Sequence, residues 1–354
     1  MTTHTHETDN SDTAKKTHHR WRKTRITLGI VVAVAVVVAI IGSITPWPSA
    51  MVIRSVFTQG GEATAAEMDK YLPDTKLTET LDVSYGSDGV DTTMDVFTPA
   101  SASGPLPTVV WIHGGAWISG SKENIDPYMR ILAAKGYTTI AVNYTLGPEG
   151  FYPKAVNQIN EALGYINEHA ADLNVDDSQI VLAGDSAGSQ LASQMATLIT
   201  SPDYAKIMDV TPTLNADQVV ATVLNCGVYD LAALAALNGI VGWGLKSSMW
   251  AYTGTRTWAE DSSGATMSTI NWVTEDFPTT YISGGNGDAL TWLQSIPMTD
   301  RLEELGVDVT TQYWPANHEP ALPHEYQFHL DMPDAQTALQ KTIDFLDAQT
   351  TPAS

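Results

Sequence analysis

The sequence predicts an α/β fold: a mostly parallel sheet with helices on both faces, a small helical cap, and a membrane-spanning helix ahead of them. Three observations lead there. From about residue 77 onward, apolar runs of strand length alternate with amphipathic runs of helix length. One stretch of about 46 residues, 231–276, breaks that rhythm. A run of 19 residues without a charge, Ile26 to Ile44, precedes both.

In chain order, residues 1–25 read as a polar tail ending in a basic cluster of Lys15, Lys16, Arg20, Arg22, Lys23 and Arg25. Its His4, His6, His18 and His19 read as solvated tail residues rather than a weak metal site. As a helix, residues 26–44 would be about 28 Å long, close to the ~30 Å of a bilayer core. The basic cluster predicts a cytoplasmic start and an extracytoplasmic remainder. A cleaved leader competes, but its apolar region is normally shorter, and "TPWPSA" is a poor cleavage site, so an uncleaved anchor is favoured. Residues 45–76 form a Pro-bounded segment whose "GEATAAEMDKYL" predicts a helix, either a stalk or part of a cap.

The main domain is expected over 77–349. "LTETLDVSYG" and "DTTMDVFTPA" alternate apolar with polar around "GSDG", an antiparallel hairpin. "PTVVWIHGG" is a buried strand, "DPYMRILAAKG" a helix stopped by Gly136, and "YTTIAVNYTL" the next strand. In "YPKAVNQINEALGYINEHAADL", Val156, Ile159, Leu163 and Ile166 share one helix face. Strand "SQIVLAG" leads into a helix with Leu191, Met195 and Leu198 at helical spacing. "VVATVLNCGVYD", "TTYISGGNGD" and "DVTTQYWPA" are three more strands, with "MTDRLEELG" helical before the last. "DAQTALQKTIDFLDAQ" is the closing helix. Right-handed crossovers between such strands make a parallel sheet covered on both faces. The interrupting stretch 231–276 carries Trp243, Trp250, Trp258 and Trp272 with Met249 and Met267 in Gly- and Ser-punctuated helical pieces, the place for an inserted cap.

Composition removes several function classes. Beyond Ile44 lie 12 of the 18 basic and 37 of the 40 acidic residues, a net charge of −25 that repels nucleic acid. Cys226 is the only cysteine, so no intramolecular disulfide and no multi-cysteine zinc site can form. In "VLNCGVYD" it reads as a buried small hydrophobe.

The chemistry-bearing residues lie at predicted strand ends. Ser186 sits in "GDSAG", a G-x-S-x-G at a strand-to-helix junction, where a strained turn holds up a nucleophile and the glycines let strand and helix approach. "WIHGGAW" ends an earlier strand about 70 residues before it. Its Gly114 and Gly115 N–H groups, with that of Ala187, would form an oxyanion hole. A serine nucleophile needs a base, and the base an orienting carboxylate. Asp288 ends strand "TTYISGG", and the loop "PANHEPALPHEYQFHL" offers His318, His324 and His329. His324 has the reach to return to the serine. His318 is a rival close to its strand, and His329 adjoins the last helix.

The motifs "HGGAW", "NYTLGPEGFYPKAVNQINEAL", "GDSAG", "GGNGD" and "HEYQF", in this order over about 77–349, resemble the hormone-sensitive-lipase and carboxylesterase side of the α/β-hydrolase superfamily. The resemblance implies a Ser186, Asp288 and His324 triad, an oxyanion hole built on Gly114 and Gly115, and a small-molecule acyl ester as substrate, with no metal or cofactor. Two departures stand out: Ala116 occupies the third position of the glycine loop, and the histidine loop is long. Rival readings are an amidase or peptidase, a carbohydrate deacetylase on the same triad, and a binding protein on an inactive hydrolase fold.

Overall fold

The computed structural model describes residues 21, 25–33, 37 and 40–350. It divides into two compact units, Met1–Pro48 and Ser49–Ser354. In the first unit, residues 25–33 and 40–44 are helical, whereas most of the polar tail and residues 34–36, 38 and 39 of the expected span lie outside the described residues. Among the described residues no helix is long and apolar enough to cross a membrane.

The second unit is built on one eight-stranded sheet in the order β1-β2-β4-β3-β5-β6-β7-β8. Helix α1 (Trp47–Met68) leads into β1 (Leu77–Ser84), β2 (Thr93–Pro99) and β3 (Leu106–Ile112). Then come α2 (Lys122–Ala133), β4 (Thr138–Val142), α3 (Lys154–Glu168), β5 (Val175–Asp185) and α4 (Ser186–Thr200). After α5 (Pro202–Met208) and β6 (Val219–Asn225) come three helices, α6 (Leu231–Ala235), α7 (Gly239–Thr253) and α8 (Ser262–Met267). The chain ends with β7 (Thr279–Gly284), α9 (Ile296–Glu304), β8 (Val309–Tyr313) and α10 (Pro333–Gln349). β2 runs antiparallel to β1 and β4, and every other pairing is parallel.

Alternation along the central strands explains the two cores. Val110, Ile112 and Leu182 join one cluster with Val156, Ile159, Leu163 and Ile166 of α3 and Leu191, Met195 and Leu198 of α4. Their neighbours Val109, Trp111, Val181 and Ala183 join the other, with Met129 of α2 and Phe345 of α10. A strand shows successive side chains to opposite faces, so two apolar faces make the sheet the middle of three layers. The helix faces expected from spacing are the faces that pack.

Helix α5 was not expected from the pattern, and β1 and α1 also depart from it. β1 is an edge strand, exposed along most of its length, with a register shift between Thr80 and Val83 and Asp82 at φ 56°. Having one neighbour, it buries little, and its bulge blunts the free edge. α1 begins well before "GEATAAEM" and runs straight through Gly60 and Gly61. A glycine pair suggests a helix break, but a Cβ on Gly61 would lie 3.1 Å from Asn124, so the close approach of α2 favours a small residue there.

Candidate active site

Ser186 stands between β5 and α4 with φ 51°, in the left-handed region that a non-glycine residue avoids unless its surroundings impose it. They do. A Cβ on Gly188 would sit 1.9 Å from the Ile112 carbonyl, and one on Gly184 would sit 2.5 Å from the Gly188 backbone. Strand β3, strand β5 and helix α4 therefore touch through bare backbone, and the turn between them has one shape. As first residues of α4, Ser186 and Ala187 lie among N–H groups that have no intrahelical acceptor. The positive end of the helix lies at the hydroxyl.

His324 Nε2 is 2.9 Å from Ser186 Oγ, and His324 Nδ1 is 2.7 Å from Asp288 Oδ2. Ser186 and Asp288 are buried, while the His324 side chain is 37% exposed. Burial pulls the imidazole down, but the Asp288 carboxylate, the Cys226 thiol and Glu325 outweigh it and hold His324 well above its ordinary value. This environment favours the imidazolium, the form that arises when the serine proton is taken.

The loop after β7 carries Asp288 and also docks the arm that bears His324. Gly287 N–H donates to the Leu322 carbonyl, Leu322 N–H to Asn286 Oδ1, and Asn286 Nδ2 to the His318 carbonyl. The residues of "GGNGD" are thus stitched to His318 and Leu322, in the arm that leads up to His324. Gly285 fits because a Cβ there would be 2.4 Å from the Leu322 carbonyl. His318 is not brought to the serine: its ring packs on Trp314 with centroids 4.4 Å apart, and its Nε2 is 3.3 Å from Asp334. His329 faces Glu67 of α1 at 3.0 Å.

The glycine loop needs one correction. Gly114 N–H is donated to Asp185 Oδ2 at 2.9 Å, so it is not free to hold an oxyanion. Among the described residues, the next two N–H groups, of Gly115 and Ala116, meet no acceptor. The loop is turned to present them: Gly115 has φ 109°, Ala116 53° and Trp117 60°. The Gly115 carbonyl accepts from Ile118 N–H, Ser119 N–H and the Ser119 hydroxyl. His113 is spent on scaffolding. Its ring stacks on Tyr144 and its Nδ1 lies 2.8 Å from the Gly114 carbonyl, while burial pushes its pKa down to about 4. Asp185 and Ala116 were visible in the sequence as motif positions, but which N–H the loop spends internally depends on its backbone path.

Cys226 is buried beside the triad with its backbone at φ 50°, and its thiol donates to Gln327 Oε1. One ligand atom each of Cys226, Asp288 and His324 falls within 4.8 Å of the others. His324 is already hydrogen-bonded to both Asp288 and Ser186, and burial favours the neutral thiol, so the cluster reads as a Ser-His-Asp hydrogen-bond chain with a thiol beside it.

Comparison with known proteins places this geometry in a family. The BD-FAE family model matches residues 94–302. Carboxylesterase NlhH of Mycobacterium tuberculosis is 36% identical over 129 residues, 36% of this chain and 40% of that protein. The chain thus spans well under half the length of the curated relatives it matches. Esterase B from Lactobacillus rhamnosis shares the fold, with a TM-score of 0.71 at 24% identity over 86% of this chain and 96% of its own. A bacterial heroin esterase aligns with a TM-score of 0.66 and 25% identity over 85% of this chain and 91% of its own. With its match over more than half the chain, this protein belongs to the BD-FAE family.

Proposed function

We propose that this chain hydrolyses carboxylic esters of small molecules through an acyl-enzyme on Ser186. The observation that carries the reading is the unbroken path from Ser186 Oγ to His324 Nε2 and from His324 Nδ1 to Asp288, at 2.9 and 2.7 Å. His324 takes the hydroxyl proton as Oγ attacks the ester carbonyl. The tetrahedral oxyanion is held by the N–H groups of Gly115, Ala116 and Ala187, with Gly114 holding Asp185 instead. His324 then protonates the leaving alcohol. Water enters, loses its proton to His324, and releases the acid while the proton returns to Ser186. Asp288 fixes the imidazole tautomer throughout. The carboxylesterase relative and the esterase neighbours support an ester as substrate.

The reading extends to where the reaction occurs. The charge-free run 26–44, behind a basic cluster, serves as a signal anchor that leaves the catalytic unit outside the membrane. Of its described residues, Ile26, Leu28, Ile30, Val31, Val32, Val37, Ile40 and Ile44 are more than half exposed and Ile41 somewhat less, which suits a lipid-facing helix. The helices between β6 and β7 serve as the cap.

One assay tests the chemistry. The purified protein should turn over p-nitrophenyl esters and bind a fluorophosphonate at Ser186, with the p-nitroanilide analogue hydrolysed far more slowly. Ser186→Ala should lose both properties while keeping its circular dichroism spectrum. Preferential turnover of the anilide would make it an amidase, and no labelling of folded protein would leave a binding protein on a hydrolase fold.

A further inference from the structure

Glu325 directly follows the proposed base and sits at φ 58°, a left-handed conformation in which glycine would be unstrained. Strain of that kind persists only where neighbouring contacts impose it. Here they come from the catalytic loops themselves. Glu325 Oε1 is 3.7 Å from His324 Nε2, the nitrogen that meets Ser186. The Glu325 carboxylate also lies on the same side of Gly114 as that of Asp185, the buried residue directly before the nucleophile. Asp185 in turn accepts from Trp111 Nε1 at 2.7 Å and from Gly114 N–H at 2.9 Å. Both acids crowd Gly114: a Cβ there would lie 2.2 Å from Asp185 Oδ2 and 3.0 Å from Glu325 Oε1. Residues adjoining the nucleophile, the base and the oxyanion donors therefore meet at one point.

We propose, building on the hydrolase reading, that Glu325 is a positioning residue. A proton kept on Asp185 joins the two carboxyl groups, and this joint holds the His324 loop against the serine turn and the glycine loop. Two adjacent carboxyl groups cannot both ionise without strong repulsion. Burial, and then the charge of Glu325, push the Asp185 carboxyl well above its ordinary range, against the pull of the Trp111 and Gly114 N–H donors.

The surroundings leave Asp185 as the group that titrates at this joint. From the end of β3, His113 is kept neutral by burial, with Glu123 of α2 opposing weakly. From beyond β4, the Tyr144 phenol is held well above its usual value by burial, and Tyr128 of α2, packed on Trp111, is raised likewise. From β6, burial raises the Cys226 thiol. From β7, Asp288 acts through His324. The sign follows from the raised Asp185 value: the joint is intact below it and lost as pH rises through it. Above that point Glu325, already a third exposed, is driven toward solvent and takes His324 with it. On the acid side, the Glu325 charge beside His324 favours the imidazolium, so removing the charge lowers the pH at which the base becomes neutral.

The test is the pH dependence of kcat and KM for one activated ester, from about pH 5 to about pH 10. Wild type, Glu325→Gln and Glu325→Gly are compared, with fluorophosphonate labelling of Ser186 at each pH. In Glu325→Gln the amide can donate to an ionised Asp185, so the alkaline fall should move up by about one pH unit or more and the acid limb should move down. Glu325→Gly relieves the backbone and should fold at least as well. It should nevertheless lose about tenfold or more in kcat with KM within about twofold, because the loop is untied. A glycine variant with wild-type kcat and both limbs unmoved overturns the inference, as does a glutamine variant with unmoved limbs. Wild type that neither hydrolyses the ester nor takes the label would overturn the hydrolase reading itself, and this inference with it.

Discussion

His324 and His318 lie six positions apart in one loop, and packing separates their roles. His318 is held by Trp314 and faces Asp334, while His324 bridges Ser186 and Asp288. His324→Ala should therefore lower kcat/KM for an activated ester by on the order of 10⁴-fold, and His318→Ala by less than about tenfold. Asp288→Asn should approach the His324 loss, since an amide can hold the wrong tautomer. A dead His318→Ala beside an active His324→Ala, both folded by circular dichroism, would reverse the assignment. At this scale the candidate site was largely legible, because serine and aspartate follow strand ends that pattern locates, while the histidine was narrowed by pattern only to one loop after β8. The proposed oxyanion donors were legible only to within one residue. Gly114 and Gly115 look alike in sequence, and only the loop path shows that Gly114 N–H is given to Asp185. Glu325 carried no sequence signal at all, since nothing in "HEY" announces a left-handed backbone.

The strands and helices of the sheet follow from periodicity, but the role of α1 does not. Its amphipathic character is weak, and what seats it is a handful of specific contacts. Ala50 and Ile53 pack with Ala116, Ile118 and Ala251, so α1 lies against the glycine loop after β3, the proposed source of the oxyanion donors. Arg54 makes a two-pronged pair with Glu149, both at 2.6 Å, and also donates to the Gly147 and Ile118 carbonyls. The pair alone is half-exposed and contributes little, but the same guanidinium ties three segments together. Arg54→Ala should lower thermal stability by about 1–3 kcal/mol, as expected where buried carbonyls lose a charged donor. Its kcat should drop several-fold with little change in KM, because Ala116 moves with Ile118. An unchanged melting temperature and unchanged kcat would show that α1 sits beside the loop without supporting it.

Across the whole molecule, the charge distribution and the first unit set the expected behaviour. A form beginning at Thr45 keeps all of α1 and drops the apolar run, so it should be monodisperse without detergent and as active as the full chain. A form beginning at Leu77 loses Ala50, Ile53 and Arg54 and should be less stable and less active in the same assay. Activity of the Thr45 form that depends on detergent would show the membrane to be part of the working unit. One consequence follows from the strand order. The groups that meet at Ser186 come from the ends of β3, β5, β7 and β8, and β8, which precedes the histidine arm, is the last strand of the chain and pairs at the sheet's edge. On the proposed mechanism no fragment ending before His324 can assemble them, so a nascent polypeptide would be chemically silent until the histidine arm has been synthesised and β8 has docked. In the outward orientation proposed above, a chain threaded unfolded through the membrane would hydrolyse nothing on the side it leaves. Stoichiometric labelling of Ser186 would then count refolded molecules, making the reaction its own gauge of maturation.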